Sequence, residues 1–244
     1  MRNIIVTGGS RGIGLAIAQR LAQAGYNVVA VARRSSKELE AARDDADRSG
    51  TGAIHFVPLD LGDIDAIPEF VRTVRKEHGQ IFGLVNNAGI GTEGLLAMMH
   101  NSEIEALLKL NTLSPIVMTK YVVRGMMAEG GGRIVNISSI IGSTGYNALS
   151  VYAASKASLV GFTRSLSREV GPMNVTVNAV APGFIKTDLT AALDEGQEDR
   201  VARRSALKRL AQAEDVAEMV AFLMGDGGRN ITGTVMTVDA GSTA

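Results

Sequence analysis

The sequence predicts an α/β protein built on a doubly wound, seven-stranded parallel sheet with helices on both faces. Three observations carry that prediction. Seven short β-rich runs alternate with six longer helical patterns along the chain. Most of the runs are continuously apolar, as strands covered on both faces must be. A glycine-rich turn joins the first run to the first helical pattern, which is where such sheets hold a ligand. No Gly/Ser linker, repeat or low-complexity tract divides the 244 residues, so residues 1–244 are read as one domain.

The first strand, residues 3–7, runs into Thr7-Gly8-Gly9-Ser10-Arg11-Gly12-Ile13-Gly14 and a helix over 12–24. Glycines there permit a tight turn and let a phosphate approach the backbone, while the helix start offers unpaired N–H groups. Gly8, Ser10, Arg11, Gly12, Ile13 and Gly14 are therefore candidate nucleotide ligands of a Rossmann-type domain. The second strand, 27–32, ends at Arg33-Arg34, where enzymes that use NAD place an acidic residue, and a helix over 35–48 follows. Arginines attract a 2′-phosphate, so the expected cofactor is NADP (NADPH), not NAD.

The third strand, 53–59, ends at Asp60-Leu61, where a carboxylate can accept from an adenine amino group, and leads to a helix over 64–78. The fourth, 81–86, ends at Asn86-Asn87-Ala88-Gly89, whose small residues let backbone approach a ribose. A helix over 101–127 carries Asn111, four residues before Pro115. Proline has no N–H, so the carbonyl of Asn111 is expected to be free to hold a water.

The fifth strand, 133–138, is followed by Ser139 and then by a helix over 151–170 bearing Tyr152 and Lys156. Four residues apart, phenol and ammonium share one helical face, and the cation is expected to pull the phenol pKa down. A tyrosine adjusted in this way can give a proton to a carbonyl oxygen or take one from an alcohol. The sixth strand, 174–180, leads to Pro182-Gly183-Phe184-Ile185-Lys186-Thr187. The irregular stretch 184–209 is expected to be a substrate lid, before a helix over 213–224 and a last strand over 234–239.

Composition narrows the function classes. Apolar residues make up 45% and charged ones 20%, and 25 basic residues balance 25 acidic ones. That balance argues against a nucleic-acid partner or a polybasic membrane patch. Cysteine is absent, which excludes disulfides and thiol chemistry. Apolar sequence begins at Asn3 with no room for a signal peptide, and no run reaches the roughly 18 apolar residues of a membrane span. The expected location is the cytoplasm. His55, His78 and His100 show no metal-ligand spacing, and no metal is expected.

These residues together resemble the short-chain dehydrogenase/reductase family over nearly the whole chain. The matching elements are the Thr-Gly-x3-Gly-x-Gly loop, Asp60, Asn86-Asn87-Ala88-Gly89, Asn111, Ser139 thirteen residues before Tyr152, Lys156 and Pro182-Gly183. The resemblance implies that Tyr152 is the general acid in carbonyl reduction and that Lys156 tunes it and holds the nicotinamide ribose. It implies that Ser139 orients the substrate oxygen, with Ser138 as the rival, and that Asn111 belongs to a water relay. Leu61, Asn87, Ala88, Gly89, Pro182, Gly183, Ile185 and Thr187 would border the cofactor.

Within the family the chain is most similar to reductases of 3-oxoacyl thioesters borne on acyl carrier protein. Those tend to carry basic residues for the acidic carrier where this chain has Gly130 and Met173, although Arg124, Arg133 and Arg168 lie near. Reductases acting on an acyl-CoA, a free ketone, a diketone or a sugar are the alternatives, and a non-catalytic NADP-sensing protein is the alternative of another class. Helices with wide apolar arcs, and the resemblance, imply a homotetramer.

Overall fold

Side chains alternate across a strand, so a strand buried on both faces must feed two separate cores. In the computed structural model, which describes residues 1–185 and 195–244, this division is plain. In β1 (Asn3–Thr7), Ile4 and Val6 enter one apolar layer and Ile5 the other. In β2 (Asn27–Ala32), Val28 and Ala30 are likewise separated from Val29 and Val31.

The remaining strands are β3 (Ala53–Pro58), β4 (Ile81–Asn86), β5 (Gly132–Ile137), β6 (Val175–Pro182) and β7 (Val235–Val238). All pair in parallel in the order β3-β2-β1-β4-β5-β6-β7. The helices are α1 (Gly12–Gln23), α2 (Lys37–Ser49), α3 (Ile67–His78), α4 (Asn101–Leu108), α5 (Ser114–Ala128), α6 (Ser150–Val170), α7 (Glu195–Arg204) and α8 (Ala213–Met224). Leu15, Ile17 and Leu21 of α1, Leu39 of α2 and Val216 and Val220 of α8 fill one layer. Ile67 and Phe70 of α3, Met118, Val122 and Met126 of α5 and Leu166 of α6 fill the other. The expected doubly wound, Rossmann-type fold is the fold found.

Two expected elements differ. The helix expected over 101–127 is two α-helices joined by one π-turn at Lys109–Leu113, in which the Ser114 N–H reaches the Lys109 carbonyl. Pro115 lies one residue beyond that bond; it supplies no donor, and the π-turn accommodates the missing helical bond. Part of the stretch expected to be irregular, 184–209, is the helix α7, whose polar composition offers no apolar stripe to read. Residues 186–194, with part of the expected lid and Thr187, lie outside the described residues. No helix among those described is long and apolar enough to cross a membrane.

Candidate active site

The sheet's strand order reverses between β1 and β4, and there the loops after the two strands part to leave a crevice. Thr7 latches them. Its hydroxyl donates to the Val85 carbonyl at 3.2 Å and accepts from the N–H groups of Asn87 (2.9 Å) and Ala88 (3.1 Å). The Asn87 amide returns the tie, donating to the carbonyls of Thr7 (2.9 Å) and Gly8 (3.3 Å). Gly8 has φ +67°, and a Cβ on Gly14 would stand 2.1 Å from the Gly8 carbonyl oxygen. No larger residue fits there, so the first turn of α1 lies hard against the loop.

The α1 N-terminus has no capping side chain and no acidic residue in its first turn, so its N–H groups face the crevice. Ser36 fastens the loop from the other side: its hydroxyl donates to the Ser10 carbonyl at 2.6 Å while capping α2 through the Leu39 N–H at 3.0 Å. Arg11, Arg33 and Arg34 are all exposed around this end of the crevice. The residues therefore fit a phosphate-bearing dinucleotide: a glycine cradle, an open helix start and guanidinium groups at its rim.

Other expected cofactor contacts divide. Asp60 is exposed, with one carboxylate oxygen accepting from the Gly62 N–H at 2.9 Å. Leu61 is buried in the core layer of α3 and α5, so its backbone alone can face a ligand. Ile185 likewise sends its side chain into the core beneath α8 and pairs with Ala211, leaving only main chain toward the crevice. Pro182 ends β6, and the Gly183 N–H donates to the Val238 carbonyl at 2.9 Å.

The four candidate catalytic side chains converge at the C-terminal ends of β4 and β5. Tyr152 and Lys156 rise from the first turns of α6, with the ammonium nitrogen 5.7 Å from the phenol ring centroid. A Cβ on Gly89 would lie 3.1 Å from Asn111 Oδ1 and 3.6 Å from Lys156 Nζ, which places the end of the β4 loop against both. The Ser139 hydroxyl hydrogen-bonds the Tyr152 phenol. Ser138 instead donates to the Lys156 carbonyl at 2.9 Å, pinning α6 to β5, and so faces away from the phenol.

Electrostatics overturn one expectation. Burial pushes the Tyr152 phenol above its ordinary value, opposed by the Ser139 hydrogen bond, and Lys156 does not pull it down. The Lys156 ammonium stands 5.7 Å from the phenol ring centroid and donates to the Ile137 carbonyl at 2.9 Å. Burial alone lowers its own pKa to about 8. A protonated phenol at neutral pH is an acid, ready to give a proton and not to take one.

The Asn111 side chain has a role of its own, apart from the expectation built on its carbonyl. Its buried side chain makes a two-sided clasp: Oδ1 accepts from the Ile90 N–H at 2.9 Å, and Nδ2 donates to the Ile90 carbonyl at 2.8 Å and to Ser155 Oγ at 3.2 Å. It thus holds the β4 loop against α6. Beneath it runs a buried polar chain, Thr119–Asn86–Asn136–Thr163, with contacts of 2.8–2.9 Å.

Sequence reasoning missed the latch of Thr7, the tie of Ser36 and this clasp; a polar residue amid an apolar strand end was the signal available for Thr7. It also kept the histidines apart, whereas His55 and His78 have ring centroids 4.8 Å apart. Arg133, expected to be available to a carrier, is buried, its guanidinium 5.7 Å from the Phe82 ring centroid. Among the described residues no group of three or more His, Cys, Asp or Glu side chains is placed to hold a metal ion.

Comparison with known proteins gives the same frame. The model of the short chain dehydrogenase family matches residues 2–198. The 3-oxoacyl-[acyl-carrier-protein] reductases FabG of Escherichia coli and Pseudomonas aeruginosa are each 40% identical over 237 residues, 97% of this chain and 95% of theirs. A short chain dehydrogenase from Burkholderia cenocepacia, solved in complex with NADP, superposes with a TM-score of 0.92 at 38% identity over 100% of this chain and 98% of its own. A blue fluorescent protein from a metagenomic library, in complex with NADPH, superposes with a TM-score of 0.92 at 34% identity, over 100% of this chain and 98% of its own.

Proposed function

The chain belongs to the short chain dehydrogenase family, and from that premise we propose that it is an NADPH-dependent reductase that turns the ketone of a 3-oxoacyl thioester into a secondary alcohol. The observation that carries the reading is the half-buried phenol of Tyr152, kept protonated by burial and hydrogen-bonded to Ser139, with the buried ammonium of Lys156 5.7 Å from its ring centroid. Arg33 and Arg34 at the end of β2 favour a 2′-phosphorylated cofactor. The relatives named for 3-oxoacyl-[acyl-carrier-protein] and the neighbours solved with NADP or NADPH support it.

When bound, the nicotinamide supplies the hydride for the carbonyl carbon. Ser139 orients the carbonyl oxygen and Tyr152 donates the proton that completes the alcohol. Lys156, with a pKa near 8, keeps a positive charge at neutral pH and is placed to hold the nicotinamide ribose. Asn111 acts by position, holding the β4 loop to α6 so that Gly89 and Lys156 stay in register. Gly8, Gly14, Asn87 and the α1 N-terminus hold the pyrophosphate side.

We extend the proposal to a cytoplasmic homotetramer. Exposed Leu108 and Leu113 beside the π-turn, and a groove of about 510 Å³ along α8 and β7 rimmed by exposed Leu207 and Phe222, are the faces that further copies would cover. The carrier is the weaker part of the reading, because Arg133 is buried and only Arg124 and Arg168 of the nearby arginines are exposed. NADPH oxidation with acetoacetyl-CoA against a 3-oxoacyl carrier-protein substrate tests it. Preference for the carrier-borne thioester supports the full reading; equal use of both removes the carrier, and use of neither removes the thioester.

A further inference from the structure

Three loops leave the C-terminal ends of β4, β5 and β6 around Ser139 and Tyr152, and each presents an apolar side chain at its outer end. The loop after β4 exposes Leu95 (61%), Leu96 (58%) and Met98 (78%), and the loop before α6 exposes Tyr146 (51%). Phe184 completes the set: its ring meets that of Tyr146 at 5.8 Å between centroids and 58° between planes. Tyr146 lies seven residues after Ser139 and six before Tyr152, so its position is tied to both.

The frame holding this pair is built. The Gly94 N–H donates to the Ala148 carbonyl at 3.0 Å, joining the first two loops, and Ala148 adopts φ +64° to present it. Ser143 and Thr144 hydroxyls both donate to the Ile140 carbonyl at 3.0 Å, stiffening the start of the second loop. On the third, Gly183 is bonded to Val238 and Ile185 is sunk in the core, so Phe184 between them is turned outward. Residues 90–99, 139–149 and 183–185 carry one charged side chain, Glu93, and no cation. An apolar rim with no cationic side chain among these described residues suits hydrocarbon, not an anionic group.

We propose that the Tyr146–Phe184 pair is a specificity wall for the acyl chain beyond the 3-oxo carbon, so that the protein prefers 3-oxoacyl thioesters with an apolar tail of several carbons over acetoacetyl thioester. This rests on the reductase reading above and adds the substrate class to it. The ring of Tyr146 does the work and its hydroxyl does not. Each methylene seated on the wall adds roughly a fourfold gain in kcat/KM, from burial of its surface.

The test compares 3-oxobutanoyl-CoA with 3-oxooctanoyl-CoA by loss of NADPH absorbance in wild type, Tyr146→Ala, Tyr146→Phe and Phe184→Leu. Wild type is expected to favour the eight-carbon substrate by at least roughly tenfold in kcat/KM, chiefly through KM. Tyr146→Ala is expected to erase most of that preference while acetoacetyl turnover persists, Tyr146→Phe to keep it, and Phe184→Leu to lower it in part. No chain-length preference in wild type, or equal losses on both substrates in Tyr146→Ala, overturns the wall and leaves the reductase reading intact. A parallel series of 2-alkanones separates the two claims. If no thioester is reduced but longer alkanones are, with the same loss in Tyr146→Ala, the thioester reading fails and the wall stands. If neither series responds to chain length, the wall is gone.

Discussion

Lys156→Met separates what this site costs the fold from what it does. The ammonium is buried, its pKa is lowered to about 8 from 10.5 by burial, and it donates to the Ile137 carbonyl at 2.9 Å. Holding that charge at pH 7 costs about 3 kcal/mol relative to the unfolded chain. Methionine fills a similar volume without charge but leaves the Ile137 carbonyl without its donor, a loss of about 1–3 kcal/mol. The net expectation is a variant as stable as wild type or more stable by up to about 2 kcal/mol, which for a chain this long is a rise in Tm of about 0–8 °C.

The pH dependence fixes the sign. Between the folded value of about 8 and the unfolded 10.5, the unfolded wild type binds more protons, so wild-type stability rises with pH across that window. The advantage of Lys156→Met should therefore shrink by about 2 kcal/mol between pH 7 and pH 9.5. Scanning calorimetry of the cofactor-free proteins at both pH values reads it. A Tm for Lys156→Met more than about 5 °C below wild type at pH 7, or a gap that does not change with pH, refutes the reasoning.

Three further outcomes follow from the same geometry. Arg33→Asp should lower the ratio of kcat/KM for NADPH over NADH by tenfold or more, on the order of one charge-assisted contact; steady-state kinetics with both cofactors checks it. Asn111→Ala removes the clasp on Ile90 and Ser155 and should cost about 2–4 kcal/mol, read from urea midpoints, with a larger loss of turnover than of cofactor binding. Burial, then His78 and Arg43, holds the His55 pKa below its usual 6.5. Below about pH 6.5 the unfolded chain takes a proton that the fold resists, so stability should fall from there toward pH 5, and less steeply in His55→Gln.

What was legible in the sequence was what repeats or lies close along the chain. Apolar runs placed all seven strands to within one or two residues, because a parallel strand buried on both faces has no polar side to confuse the pattern. The glycines before α1 and the Tyr152–Lys156 spacing were readable for the same local reason. The ties that set the geometry were not. Thr7 reaches Asn87 across eighty residues, Asn111 reaches Ile90 and Ser155, and Ser36 reaches Ser10. No period in the sequence encodes such contacts.

Pro115 gave warning of a break in its helix, yet whether the chain bends or takes up a π-turn depends on the packing around it. The direction of the Tyr152 pKa was missed because it turns on burial. A helical spacing brings phenol and ammonium near each other, and it does not say which of desolvation and charge prevails. Tyr146 and Phe184 lie on loops after different strands, and their meeting is a product of the sheet order alone.

The most direct test of the central claim is NADPH oxidation by wild type and Tyr152→Phe with a 3-oxoacyl thioester, alongside NADPH binding to each. The phenylalanine keeps the ring and its packing and removes only the proton donor. Turnover reduced by about a thousandfold or more with NADPH affinity unchanged is the predicted result. Turnover within a few fold of wild type would contradict it, because the proton would then come from elsewhere.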